Sequence, residues 1–122
     1  MQTHLDSLLA PGALTAVFQP VFDTRPQPAA IFAYEGLVRG PAHSNFEHPD
    51  VMFGYVRHKR GEEQIDRACV AAILGAATSL PPEARISINV HAATLGRHRN
   101  FADYVVMGGR LHGIEPHRIV LE

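Results

Sequence analysis

Apolar residues along this chain alternate between a period of two and a helical period, and Gly or Pro marks most of the switches. Residues 1–12 read as a short helix or arm closed by Pro11-Gly12. TAVFQPVFD, Thr15 to Asp23, is rich in Val and Phe and reads as a strand. Pro20 inside it points to an edge position or a bulge. The brief turn DTRPQP leads into a second strand, AIFAYEGLVR, Ala30 to Arg39, so these two strands are expected to pair. Gly40 to Asp50 is a loop rich in turn formers, and a helix is expected from Val51 to about Arg60, broken by Gly61.

The strongest helical pattern covers Glu62 to Leu80. Ile65, Ala68, Cys69, Ala72, Ile73 and Ala76 fall on one face, Glu62 and Glu63 suit the positive end of the helix dipole, and Pro81-Pro82 stops it. ARISINVH, Ala84 to His91, is β-branched through its middle and reads as a strand. A helix over Asn100 to Arg110 and a last strand over Arg118 to Glu122 follow. Alternation of strands with helices in this half predicts a parallel α/β sheet. Four strands with an unprotected last one make an incomplete-looking sheet.

Strand parity then sorts the polar residues. Phe32, Tyr34, Gly36 and Val38 share one face of the second strand, and Ala33, Glu35, Leu37 and Arg39 the other. In the third strand Ile86, Ile88 and Val90 oppose Ser87, Asn89 and His91. In the last, Ile119 and Leu121 oppose Arg118, Val120 and Glu122, and in the first, Val17, Gln19 and Val21 oppose Phe18, Pro20 and Phe22. The later strands thus offer an apolar face to a helix layer and a polar residue near each C-terminal end: Glu35, Asn89 and Glu122. Active sites of parallel α/β folds gather at those ends. Two carboxylates and an amide oxygen form an all-oxygen set suited to Mg²⁺, Mn²⁺ or Ca²⁺, with Arg39 placed to hold a phosphate. The residues alone leave a second reading open, in which Glu35 is a solvated edge residue or simply pairs with Arg39.

Composition narrows the field without choosing a function. The chain has 122 residues, 46% hydrophobic and 19% charged, which fits one small ordered domain. A net charge of -1 argues against a DNA or RNA polymer or a membrane surface as partner. A single cysteine, Cys69, rules out an internal disulfide and fits a cytoplasmic setting. The N-terminus lacks the basic start and apolar run of a signal peptide, and no stretch approaches the length of a membrane span. The eight histidines show no HExxH or compact His/Cys spacing and read mostly as surface or loop residues. His91 shares the face of Asn89, but a structural role is the simpler reading. Cys69 reads as a core residue, and Asp66 as a structural group that orients an arginine or faces solvent.

In order and spacing, FQPVFD, YEGLVRG, IDRACV, ISINVHAATL and RIVLE resemble the N-terminal half of an EAL domain, the bacterial family of cyclic di-GMP phosphodiesterases. The resemblance runs from about Thr15 to Glu122, with residues 1–14 as an arm or helix before a partial EAL domain. It implies a TIM-barrel-like α/β fold truncated to roughly its first half, with the first strand antiparallel to the rest. It implies Mg²⁺- or Mn²⁺-dependent hydrolysis of cyclic di-GMP to linear pGpG in bacterial signalling. By motif, Glu35, Asn89 and Glu122 match the metal ligands and catalytic set, Arg39 a phosphate-contacting arginine, Gln19 a residue near guanine, and Leu37 the signature leucine. The signature alanine is here Gly36, which is expected to loosen the strand by about 0.5–1 kcal/mol and shift Glu35 slightly.

A whole α/β barrel takes about 250 residues. The family's later aspartates, lysine and glutamate have no counterpart before Glu122. The chain is therefore expected to be inactive alone, and to need its missing half or a second copy to cover its open edges. The alternative is a non-catalytic EAL-type module that binds cyclic di-GMP or a protein partner.

Overall fold

The computed structural model describes residues 3–122. Helix α1 (His4–Leu9) opens with a capping box, in which Thr3 Oγ1 accepts from the Asp6 N–H and the Asp6 carboxylate accepts from the Thr3 N–H. Strands β1 (Thr15–Asp23) and β2 (Ala30–Arg39) follow with the bounds that the pattern predicts. They pair antiparallel from Thr15 opposite Arg39 to Asp23 opposite Ala30. Pro20 sits in the edge strand, and the register shifts at Val21/Phe22, so both features that proline implied are present.

Helices α2 (Pro49–His58) and α3 (Glu62–Ala76) connect β2 to β3 (Ile86–Ile88). Helices α4 (Ala92–Arg97) and α5 (Phe101–Leu111) connect β3 to β4 (Ile119–Leu121). Strand order is β1-β2-β3-β4, with β2, β3 and β4 parallel. This is a mixed α/β fold with its helices on one face of a four-stranded sheet. The core lies between them: Val38, Ile86 and Ile88 from the sheet meet Ile65, Cys69, Ile73 and Leu74 of α3, with Phe101 and Val105 of α5. On the other face Val17, Val21 and Val120 stay exposed at 45%, 40% and 39%.

Several expectations shift. α2 starts at Pro49 and not Val51, because a proline without an N–H fits the first turn of a helix. α3 stops at Ala76, and a 3₁₀ turn over Ala77–Ser79 replaces its last residues. Its buried face is also rotated: Asp66, Val70 and Leu74 are buried, while Ala68, Ala72 and Ala76 are only half-buried. β3 is three residues long, not eight, although its hydrogen bonding continues past both ends. Tyr34 N–H donates to Arg85 O and Val90 N–H to Glu122 O, each at 2.9 Å. α4 was not foreseen.

Arg118, expected to begin the last strand, instead ends a 3₁₀ turn over Pro116–Arg118 and is buried. Its guanidinium donates to Ala84 O at 2.8 Å and to Pro81 O at 3.2 Å, tying the entry of β4 to the entry of β3. Arg118→Ala leaves both carbonyls without this donor. It is expected to destabilise the chain by about 2 kcal/mol, with Arg118→Lys recovering only part, because a point charge cannot reach both carbonyls as the fork does. Urea unfolding of the three proteins checks this.

Candidate functional site

Because β2, β3 and β4 are parallel, their C-terminal ends share one rim of the sheet; Asn89 and Glu122 stand there, and Glu35 lies farther back, in the middle of β2 on the same face. Glu35 lies in a cross-strand row with Gln19 of β1 and Ser87 of β3. Asn89 leaves β3 directly, and its Nδ2 is 3.5 Å from Glu35 Oε1. The Glu122 N–H donates to Ile88 O and its carbonyl accepts from the Val90 N–H, both at 2.9 Å. These two bonds bracket Asn89, so Asn89 and Glu122 are neighbours on adjacent strands, about 4.8 Å apart. The spacing of two along each strand, combined with the register, puts all three residues on one face of the sheet, with Asn89 next to Glu122 and within 3.5 Å of Glu35.

Asn89 and Glu122 also line a cavity of about 290 Å³, walled by Asp50, Phe53 and Arg57 of α2, Asp66 of α3 and His91. A narrower crevice beside it holds Leu37 and Arg39 and shares Phe53 and Asn89 with the larger one. The donor set is chemically apt for a hard cation: two carboxylates plus an amide that can present its oxygen by a half-turn. Among the described residues no three His, Cys, Asp or Glu side chains come together, so such a cation would draw two acidic groups and one amide from this chain. Ser87 Oγ, in the Glu35 row, is buried without a hydrogen-bond partner.

Arg39 does not pair with Glu35. Among the described residues it forms no ion pair, and its Nη1 donates only to Val38 O at 3.2 Å. Of the second reading, the pairing with Arg39 is therefore absent among the described residues, and Glu35 is half-buried. Gln19 sits exposed opposite Glu35. Gly36 does more than loosen the strand: it makes room for Ile73 of α3. A Cβ there would lie 2.7 Å from Ile73 Cγ2 and 2.9 Å from Ile73 Cδ1, so α3 seats directly on the strand backbone. An alanine would require the buried Ile73 to move.

Asp66 neither faces solvent nor orients an arginine. It is 2% exposed and accepts from the His91 N–H at 3.0 Å and the Thr94 hydroxyl at 2.5 Å, with His91 Nδ1 at 2.9 Å. His91 is half-buried on the cavity wall and stacks obliquely near Phe53, with ring centroids 5.8 Å apart. Sequence reasoning had no signal for this cluster beyond the shared strand parity of His91 and Asn89. The contributions of α2 to the cavity were equally hidden, because nothing local fixes which face a helix turns toward a distant strand.

Cys69 is a core residue, as expected; burial and the nearby Asp66 charge push its thiol up to about 12. In the unfolded chain a thiol ionises near 8.5. The raised folded value means that the neutral thiol's contribution to stability is complete below the unfolded value and is lost as pH rises above it toward about 12. Two results are expected: alkylation by iodoacetamide at pH 8 at least about a hundredfold slower than for the denatured chain, and stability that declines above about pH 9 in wild type but less in Cys69→Ala.

No protein-family model matches the chain, and no curated protein matches its sequence. Its fold does match solved structures of BlrP1 from Klebsiella pneumoniae. One is a calcium and cyclic di-GMP complex, at TM-score 0.73 and 18% identity over 89% of this chain and 26% of that one. Another contains FMN and cyclic di-GMP without metal ions, at TM-score 0.74 and 20% identity over 93% of this chain and 29% of that one. A manganese and cyclic di-GMP complex matches at TM-score 0.73 and 19% identity over 92% of this chain and 28% of that one. The chain thus has the fold of one segment of these proteins and spans less than a third of their length.

Proposed function

We propose that this chain is an EAL-type module of cyclic di-GMP signalling, with its nucleotide and cation site at the C-terminal rim of β2, β3 and β4. The observation that supports the reading is that Glu35, Asn89 and Glu122 share one face of adjacent strands, with Asn89 beside both of the others, in a fold shared with proteins solved with cyclic di-GMP and divalent cations. Glu35, Asn89 and Glu122 would hold Mg²⁺ or Mn²⁺ through their side-chain oxygens. Arg39, free of any carboxylate partner among the described residues, would bind a phosphodiester oxygen. Gln19, beside Glu35 and exposed, would meet the guanine, and Leu37 would pack beside the ligand.

When bound, a divalent cation supplies Lewis-acid activation of the phosphodiester and of water, the chemistry by which the family forms pGpG. This chain's own residues orient the diester: Arg39 offers its forked donors to one oxygen, while the rim carboxylates set where the cation sits. The second reading, a module that binds cyclic di-GMP without hydrolysing it, is favoured for the chain by itself, because among the described residues no three His, Cys, Asp or Glu side chains are grouped to hold a metal ion.

Calorimetric titration with cyclic di-GMP in Mn²⁺, combined with chromatographic assay for pGpG, tests both. Mn²⁺-dependent binding without product supports the binding module, and product supports the enzyme. Neither binding nor product would sink the assignment of this rim as a nucleotide site.

A further inference from the structure

Asp66 is not one of the rim residues, though it borders the same cavity, and it fastens the segment that carries Asn89. It is the most buried charged side chain of the chain, 2% exposed, on α3. Its partners lie 25 and 28 residues later, at the junction where β3 ends and α4 begins. Oδ2 accepts from the His91 N–H at 3.0 Å and from Thr94 Oγ1 at 2.5 Å, and Oδ1 lies 2.9 Å from His91 Nδ1. A carboxylate in this position can only accept, so it draws the N–H of His91, the ring proton at Nδ1 and the Thr94 hydroxyl toward a single buried point. Burying such a charge is costly unless its lone pairs are filled, and here three donors fill them. The cluster is therefore all-or-none: loss of the acceptor strands its donors.

The consequence falls on Asn89. Only Val90 separates Asn89 from His91, and the β3 ladder itself ends at Ile88. On its N-terminal side Asn89 is held by the sheet, where Ile88 O accepts from Glu122 N–H at 2.9 Å. On its C-terminal side the next anchor, after the Val90 N–H bond to Glu122 O, is Asp66. The imidazole, with Nδ1 engaged, is turned so that the ring forms part of the cavity wall against Phe53.

We propose that Asp66 is a positioning residue: acting through His91 and Thr94, it sets the direction in which Asn89 leaves β3 and the pose of the His91 ring on the cavity wall. The proposal deepens the reading of the rim as a nucleotide and cation site and rests on it for the consequence to binding, but not for the structural coupling.

The test therefore reads the coupling without ligand first. In Asp66→Asn, amide hydrogen exchange at His91 and through Thr94 is expected to accelerate by about tenfold or more, the worth of a hydrogen bond to a charged acceptor. Exchange at Ile65, Ile73 and Val105 should stay within about twofold. The side-chain amide resonance of Asn89 and the ring nitrogens of His91 should shift in the same variant. Should Asp66→Asn fail to fold, Thr94→Val removes one donor and keeps the carboxylate, and a local acceleration of about threefold at the same amides is expected.

Mn²⁺ affinity is then measured on the folded variant and is expected to fall by about tenfold. Uniform acceleration across the core, or unchanged Asn89 and His91 resonances, would overturn the proposal and leave Asp66 a merely structural group. Local acceleration in a protein that binds no Mn²⁺ even as wild type would uphold the coupling and overturn the reading of the rim instead.

Discussion

Glu35→Ala is expected to abolish divalent-cation binding at the rim. In the proposed site Glu35 would supply one of two carboxylates, and its removal would leave Asn89 and Glu122, a single charge and one amide, against the hydration shell of Mn²⁺. Loss of an outer partner of a metal ligand already costs about 10–100-fold in affinity, so loss of a carboxylate ligand should cost at least about a hundredfold. Mn²⁺-dependent binding of cyclic di-GMP should fall with it. The thermal midpoint should hardly change, because Glu35 is half-buried and forms no ion pair among the described residues. Electron paramagnetic resonance of free Mn²⁺, titrated with wild type and variant, gives the ratio. Arg39→Ala makes the contrasting case: it should leave Mn²⁺ binding intact and weaken the nucleotide, since its guanidinium lies in the crevice beside Asn89 and carries no cation ligand.

Gly40→Ala is expected to produce the largest loss of stability among the glycine substitutions. Gly40 follows Arg39 at the end of β2 and is buried. A Cβ there would collide with the Phe46 backbone carbonyl and come within 3.3 Å of Met52 Sδ. Backbone cannot turn aside as a side-chain tip can, so the loop over residues 41–48 must move. A cost of about 3 kcal/mol follows from comparable overpacking. The displaced loop leads into α2, so Phe53 and Arg57 would shift on the cavity wall as well. Gly54→Ala is the internal control. It lies in α2 with nothing within 4 Å of the added carbon, and it should stabilise the helix by about 0.5–1 kcal/mol. Denaturant midpoints of opposite sign for the two alanines would establish that close approach, not glycine as such, is what Gly40 provides.

The parts of this fold that could be read from the sequence are those with local causes. β1 and β2 have the bounds that alternation and punctuation predict, because the turn between them is short and each strand has its own period of two. Parity likewise put Glu35, Asn89 and Glu122 on one face, and the parallel register keeps them on it. What stayed hidden has causes far away in the chain. α4 spans six residues, AATLGR, too few to show an apolar period, and Asp66 holds its start from α3. Arg118 looked like an outward strand residue, yet carbonyls at Pro81 and Ala84 draw it inward. The buried face of α3 was misjudged because alanines satisfy a helical stripe on paper, while Val70 and Leu74 fill more of the space beneath α5 and the sheet.

Whether a divalent cation sits between β2, β3 and β4 can be read from paramagnetic broadening by Mn²⁺ in the ¹H–¹⁵N spectrum of the chain. Substoichiometric Mn²⁺ is expected first to erase the signals of Glu35, Asn89 and Glu122 and their strand neighbours Ser87 and Val90, sparing α1 and α5. Broadening centred on another part of the surface, or none at millimolar Mn²⁺, would contradict that placement.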